Sequence, residues 1–392
     1  MWRHCGWIIC FLCFEITIPF IPKRAFAQKQ VDFVWLNIPD LPPARGEKVQ
    51  PGLAGPVTGV AGDCLVVAGG ANFPEEMPWR GGVKRYHDEI FLLKEDANET
   101  FIWIRAAEKL PCKLAYAASV TVPDAVVSIG GENASGPLSK VYFISRRGGH
   151  LRISELPDLP VPRSSGAASI IGSTVYFAGG LGPSGASSDF FCLDLEHTGG
   201  GWKMLPGLPV ALSHAVAVTH KSGSGPSFLV AGGRNKTAEG TVFLSGIWEF
   251  SVSAGKWHRL ADIITKGEQS GLAAGSGIVL GNRLIFFGGD EGMLFKKSES
   301  LNEAIAQSTG AAKSKFISER DSRLDHHPGF SSTIKFFDMA TGNWQEESEM
   351  PSPAPVTTTA VQWKGRVFIP SGEIRPGVRT PHILAAIINQ SN

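Results

Sequence analysis

Leu65-Val-Val-Ala-Gly69-Gly70 is the phrase on which the fold turns, because an apolar run closed by two glycines returns five more times along the chain. It recurs as Val126-Val-Ser-Ile-Gly130-Gly131, Val175-Tyr-Phe-Ala-Gly179-Gly180, Phe228-Leu-Val-Ala-Gly232-Gly233 and Leu284-Ile-Phe-Phe-Gly288-Gly289, and in altered form as Val367-Phe-Ile-Pro-Ser371-Gly372. The steps between the first residues of these pairs are 61, 49, 53, 56 and 83. A short run of β-branched and aromatic residues stopped by glycine reads as a buried strand. Self-similarity at a period near 50 residues marks a repeat architecture, each unit being one supersecondary element.

Between the doublets lies an aromatic strand running into a proline turn, as in Trp35-Leu-Asn-Ile-Pro-Asp-Leu-Pro, Trp103-Ile-Arg, Trp202-Lys-Met-Leu-Pro-Gly-Leu-Pro, Trp257-His-Arg-Leu and Trp344-Gln-Glu. Leu151-Arg-Ile-Ser-Glu-Leu-Pro-Asp-Leu-Pro takes that place without its tryptophan. A strand of small residues follows, such as Ser165-Gly-Ala-Ala-Ser-Ile-Ile or Ser213-His-Ala-Val-Ala-Val. Each unit therefore offers about four strands, the content of one propeller blade. The doublet-glycine strand, the Trp-x-x-Leu-Pro turn and the period resemble Kelch repeats, and that resemblance implies an all-β, six-bladed propeller over residues 28–392. Tandem β-sandwiches would not space the doublets so evenly.

The ends of the chain support a closed ring. After Ser371-Gly372 one strand-like run remains, His382-Ile-Leu-Ala-Ala-Ile-Ile, with no aromatic outer strand behind it. Val34-Trp35-Leu36 is an outer strand without predecessors. Pairing the two completes one blade and removes the unpaired edges of an open ring.

Composition narrows the function classes. Glycine is 46 of 392 residues, about 12% where about 7% is usual, and charged residues are only 19%. With 37 basic against 36 acidic side chains the formal charge is +1, so no long-range field favours nucleic acid or an anionic membrane. Arg3 and His4, an apolar stretch from Gly6 to Pro22, and Ala25-Phe26-Ala27 read as a signal peptide over residues 1–27. Glu15, two prolines and the short length speak against a stable membrane anchor. The expected compartment is periplasmic or secreted. Cleavage removes three basic residues and one acid, taking the formal charge to −1, together with Cys5, Cys10 and Cys13. Cys64, Cys112 and Cys192 are too few and too odd in number for a disulfide framework, and Cys64 and Cys192 read as small buried hydrophobes.

If the small-residue strand and the doublet strand are antiparallel neighbours, residues just past each doublet and just before each small-residue strand ring one mouth. The first set is Ala71-Asn72-Phe73, Glu132-Asn133, Leu181-Gly182, Arg234-Asn235, Asp290-Glu291 and Glu373; the second includes Arg45, Tyr116, Arg163, His214 and Gln269. The long step of 83 residues reflects an insertion at about 290–330 in blade five. Ser300-Leu-Asn-Glu303 has capping-box spacing, so a helix is expected from there to about Arg323, interrupted near Gly310. Placed at the mouth, it could serve as a lid. Asp325-His326-His327 lacks a third partner at ligand spacing and is read as a solvated loop, so no metal is expected.

The most specific segment is Gly372-Glu373-Ile-Arg375-Pro-Gly-Val-Arg379-Thr380-Pro. It resembles the signature of bacterial sialic acid mutarotases, the N-acetylneuraminate epimerases of the Kelch class, and Gly69-Gly70-Ala71-Asn72-Phe73-Pro74 resembles that family's first-blade loop. Because the chain begins with the outer strand of the closing blade, it resembles the cyclically permuted branch. The resemblance implies that Glu373 and Arg379 are the functional pair and that the substrate is a sugar acid, with no cofactor. Anomer interconversion needs one proton removed from the anomeric hydroxyl and one given to the ring oxygen, work for a carboxylate and a donor. Arginine's planar fork matches the carboxylate of a sialic acid. Glu373 is thus expected to move the proton and Arg379 to grip the acid, with Asn72, Glu132, Arg163, Arg234 and Arg375 as further substrate-binding candidates.

Two other classes compete. A non-catalytic exported propeller would dock a protein or glycan through the same loops, and would show a broad apolar patch rather than a small polar pocket. A propeller oxidase would need paired Tyr and His ligands for copper, and the chain has only four tyrosines. Asn98-Glu-Thr, Asn133-Ala-Ser, Asn235-Lys-Thr and Asn389-Gln-Ser match glycosylation acceptors, which the bacterial resemblance leaves without a role.

Overall fold

The first residue of every doublet lies in the left-handed backbone region, with φ between 59° and 66° at the five glycines and 54° at Ser371. A Cβ on Gly130 would stand 2.2 Å from the carbonyl oxygen of Arg163, and Gly131 N donates to that same oxygen at 2.8 Å. The doublet is therefore where the backbone of one repeat meets the next, and a side chain would hold the two apart. Ser371 takes the same conformation with a Cβ. Its buried hydroxyl accepts from Leu53 N at 2.8 Å and donates to Thr380 O at 2.7 Å, which offsets the local strain.

The computed structural model describes Met1 and residues 31–222, 225–345 and 348–390. They form six antiparallel blade sheets, five of four strands and one, in blade five, of five strands. From the inside outward, blade one is Val57–Ala61, Cys64–Ala68, Glu89–Glu95 and Phe101–Lys109. The innermost strands of blades two to five are Ala118–Val122, Ala167–Ile171, Val216–Ser222 and Ser276–Leu280. Blade six runs Val361–Trp363, Arg366–Pro370, Ile383–Gln390 and, from the start of the chain, Val31–Leu36. This last pairing is antiparallel, from Val31↔Gln390 to Leu36↔Ala385, and closes the ring as the sequence leads one to expect. The signal-peptide reading, with Cys5, Cys10 and Cys13, lies outside the described residues. Among the described residues no helix is long and apolar enough to cross a membrane.

Recurring tryptophans fasten blades one, three, four and five to the blade before each, Trp344 donating to Asp262 O at 3.0 Å. Trp103, Trp202 and Trp257 each donate an indole N–H, at 2.8 Å, to the carbonyl of Pro39, Pro157 and Pro206, the first proline of the preceding blade's turn. Between blades the core is continuous: Leu65, Val67 and Phe91 of blade one pack with Phe368 and Ile383 of blade six. Cys64 is buried and Cys192 half-buried in these strands.

The insertion in blade five is a helical hairpin, α1 over Met293–Gln307 and α2 over Gly310–Asp325. The expected start at Ser300 is corrected. The helix begins after Gly292 (φ 89°), and Ser300 lies inside it, its hydroxyl donating to Lys296 O at 3.0 Å. Leu294 and Phe295 carry the reason: Phe295 packs edge-on against Phe243 at 5.4 Å, and that burial recruits the upstream turn into the helix. The break near Gly310 is present, with Ser308 and Thr309 extended.

Candidate active site

In every blade the residue just past the doublet bridges to the residue that precedes the inner strand. The pairs are Ala71 with Ala54, Glu132 with Ala115, Leu181 with Ser164, Arg234 with Ser213, Asp290 with Ala273, and Glu373 with Val356. These six positions are equivalent and ring one mouth. One residue further along stand Gly55, Tyr116, Ser165, His214, Ala274 and Thr357, all at φ between 52° and 62°. The N–H of each donates to the carbonyl of its counterpart in the preceding blade at 2.7 to 2.9 Å, making a closed circle of six hydrogen bonds. A left-handed non-glycine residue costs roughly 1–2 kcal/mol, and a hydrogen bond returns about 1 kcal/mol. The circle thus fixes Tyr116 and His214 at the rim of a narrow channel of about 100 Å³, walled by Ala117, Ala167, Gly166, Ala215 and Gly275.

Glu373 and Arg379 come from one short hairpin, Glu373–Arg375 paired with Val378–Arg379. Its turn brings Gly377 N to Glu373 Oε1 at 2.8 Å. Gly377 has φ 77°, and a Cβ there would strike Pro78 and Trp79 at 2.8 Å, so the turn packs directly on the blade-one loop. Glu373 Oε2 is 3.4 Å from Arg379 Nη2. The same Nη2 lies 3.4 Å from the Tyr116 hydroxyl, Arg379 Nε donates to Ala71 O at 3.4 Å, and the guanidinium covers the Phe73 ring at 4.7 Å. Arg379 Nη1 is buried and has no hydrogen-bond partner among the described residues. Burial, and then the Glu373 charge, push the Tyr116 phenol up to about 12, against the pull of Arg379.

Arg234 and Asp290 stand on the same circle. Arg234 Nη2 meets His214 Nε2 at 3.3 Å, and its guanidinium stacks 4.9 Å from the ring of Phe295 on α1. Burial, then the Arg234 charge, hold His214 well below the usual imidazole range, so the ring is neutral and Nε2 accepts. Burial lowers Arg234 as well, against the charges of Asp290, Glu373 and Glu299. Asp290 Oδ1 accepts from Gly292 N at 2.8 Å. Desolvation raises its carboxyl above the ordinary aspartate value, opposed by that bond and by Arg234.

The helical hairpin roofs this mouth. Glu299 on α1 accepts from Thr241 N at 3.0 Å and Thr241 Oγ1 at 2.8 Å, and pairs with Lys236 at 3.3 Å, all on blade four. On α2, Arg320 donates to Trp79 O at 3.3 Å and Asp325 pairs with Arg80 at 2.6 Å, both on the blade-one loop. Beneath it lies a cavity of about 470 Å³ bordered by Asp290, Phe295, Lys236, Glu299, His327 and Pro376. The reading of Asp325-His326-His327 as a solvated loop is corrected at Asp325, which ends α2 and is docked by Arg80; the exposed His326 and half-buried His327 follow in the loop, with His326 Nδ1 2.8 Å from Ser322 O and His327 Nδ1 accepting from Gly329 N at 3.1 Å.

Several expected substrate contacts are taken by the protein itself. Asn72 is buried, its amide donating to Gly52 O at 3.0 Å and its oxygen meeting His87 Nε2 at 3.0 Å, so it braces the blade-one loop. Arg163 turns into blade three, to Asp189 at 2.5 Å and Ser187 at 3.3 Å. Arg375 donates to Asp325 O at 2.7 Å and clamps the end of α2. Glu132 stays on the circle but accepts from Tyr86 at 2.8 Å, Lys84 at 3.2 Å and Ser164 at 3.2 Å. Arg45 is exposed on its loop, and Gln269 bonds Ser245 at 2.7 Å in a separate hairpin. Asn72, Arg163, Arg375, Glu132 and Gln269 thus each have a protein partner, whereas Arg45 lies exposed on its loop. Tyr116, His214 and Asp290 reach the mouth by spacing alone, but only the structure shows what they touch. Asp290 sharing the post-doublet position of Glu373 was the available signal; nothing in the sequence pointed to Phe295.

The family model described as N-acetylneuraminate epimerase matches residues 21–153 and 156–392. An N-acetylneuraminate epimerase of Yersinia pestis (strain Pestoides F) is 37% identical over 131 residues, 30% of this chain and 31% of the relative. Those of Brucella melitensis biotype 1 and Salmonella typhi are 35% identical over 119 residues and 38% over 129. They are matched over 28% and 30% of this chain and 29% and 32% of their own lengths. The matched segment thus spans less than a third of each of these curated relatives. The solved structure of YjhT superposes with a TM-score of 0.59 at 14% identity, over 90% of this chain and 99% of that one, a likeness of fold.

Proposed function

Since this chain belongs to the N-acetylneuraminate epimerase family, we propose that it is an isomerase interconverting the α and β anomers of N-acetylneuraminate by general acid/base opening and closing of the sugar ring. The observation that carries this reading is the meeting at one mouth of the Glu373 carboxylate with the buried Arg379, which has a donor unused among the described residues, and the half-buried Arg234. Glu373 Oε1 is tied down by Gly377 N, which leaves Oε2 to take the proton of the anomeric hydroxyl. Arg379 Nη1, at a cost of about 1–3 kcal/mol while unpaired, and Arg234 receive the carboxylate that a sialic acid carries beside its reacting carbon. Arg379 is held for this by Phe73, Tyr116 and Ala71 O, so little side-chain freedom is lost on binding. A leader over residues 1–27 would deliver the protein to the periplasm or beyond, which N-terminal sequencing of the exported chain checks.

The direct test follows freshly released α-N-acetylneuraminate by NMR, with glucose and galactose as controls. Faster equilibration of the sialic acid is the expected result. Acceleration of the neutral sugars alone, or of none, overturns the reading.

A further inference from the structure

Opening a cyclic hemiketal moves two protons, and Glu373 accounts for one. The arginines cannot supply the other, because a guanidinium does not release its proton near neutrality. Asp290 holds in blade five the position Glu373 holds in blade six, each bridged to the residue ahead of its inner strand. One oxygen accepts from Gly292 N; the other is hydrogen-bonded by none of the described residues. The carboxyl opens on the 470 Å³ cavity that also reaches Pro376, in the turn of the hairpin carrying Glu373. Its neighbour Glu291 points the other way, held by the buried Lys335 at 3.3 Å and Thr265 at 3.1 Å, which anchors the loop and leaves Asp290 to the mouth.

We propose that Asp290 is the second catalytic group, protonating the ring oxygen as Glu373 deprotonates the anomeric hydroxyl. The bond between the anomeric carbon and the ring oxygen breaks, its electron pair takes the Asp290 proton, and the hydroxyl oxygen becomes the ketone. After rotation the freed hydroxyl attacks the opposite face of the ketone, returning its proton to Asp290 while Glu373 gives its own back to the new anomeric oxygen. Both carboxyls end as they began, and nothing is consumed. The charged groups around Asp290 are Arg234 from blade four, Glu291 beside it and Glu373 from blade six, with Lys236, Glu299, Glu303 and His327 around the cavity. Desolvation outweighs Arg234, so the protonated form persists to higher pH than for an ordinary aspartate.

This rests on the mutarotase reading above, and the test separates the two. Asp290→Asn keeps the Gly292 bond through its amide oxygen but cannot donate an acidic proton. NMR exchange kinetics should show kcat down by about 10²–10⁴-fold, KM changed little, and loss of the limb on which wild-type kcat falls as pH rises. Asp290→Glu should restore part of the rate together with that limb. Wild-type kcat and pH profile in Asp290→Asn, with Glu373→Gln impaired, would overturn the role of Asp290 alone. A wild-type protein that leaves N-acetylneuraminate unaccelerated would overturn both.

Discussion

Glu373 and Arg379 are register partners across a single short hairpin, and their side chains meet at 3.4 Å inside the mouth. The six-residue spacing is therefore mechanical: it is the length of chain needed to turn round Pro376-Gly377 and face itself. With Gly377 N on one oxygen and Arg379 near the other, the carboxylate is aimed before substrate arrives.

Glu373→Gln should keep the Gly377 hydrogen bond and the fold but lose the base. A fall in kcat of about 10²–10⁴-fold is expected, with thermal unfolding near wild type. Anomer exchange at the wild-type rate would show that the proton goes elsewhere.

Arg379→Lys preserves the charge but loses the fork, the Phe73 stacking and the contact with Tyr116. KM for N-acetylneuraminate should rise at least about tenfold, equivalent to about 1.4 kcal/mol, and more than kcat falls. Saturation curves overlaying the wild type would remove Arg379 from the binding site.

Ser371 occupies the one doublet position that lacks glycine, and its hydroxyl serves both Leu53 N and Thr380 O. Ser371→Ala keeps the left-handed strain and strands both partners, so a loss of about 2–6 kcal/mol is expected at about 1–3 kcal/mol per unsatisfied buried group. Ser371→Gly relieves the strain and should lose less. Urea unfolding of the two variants decides; equal stabilities would refute the compensation argument.

His87, His214 and His327 are all held below the ordinary value of 6.5, with burial the leading cause. As pH falls below 6.5 the unfolded chain takes up protons at these rings while the folded one does not. Stability from this source is complete above 6.5 and declines toward the lower folded values. His214→Asn removes the most strongly lowered ring, and asparagine tolerates the φ of 57° at that position. Its unfolding midpoint between pH 8 and 5 should fall less steeply than wild type. Parallel slopes would exclude His214 as a source of the acid sensitivity.

The ring of blades was legible because its cause is local and repeated. Glycine takes a left-handed backbone at a close inter-blade approach most readily, so five glycine doublets, Ser371-Gly372 and the recurring outer-strand turns announce six blades, and the unmatched end strands announce closure. The mouth position of Glu373, Arg234 and Asp290 follows from the same periodicity. The helix start at Met293 was hidden, because it depends on Phe295 finding Phe243 some 50 residues away in sequence rather than on the capping pattern at Ser300.

Periodicity places a Cα on the circle but does not aim its side chain. Arg163 and Arg234 are both placed at the mouth by the repeat, yet the first has Asp189 within its own blade and turns aside, while the second has His214 and Phe295 to hold it inward. Asn72 and Arg375 are likewise absorbed by Gly52, His87 and the end of α2. The backbone's own sterics wrote the architecture into the sequence. Which charges stay available to a substrate was left to tertiary contacts, because a buried polar group pairs with the nearest complementary partner, and that partner can come from anywhere in the chain.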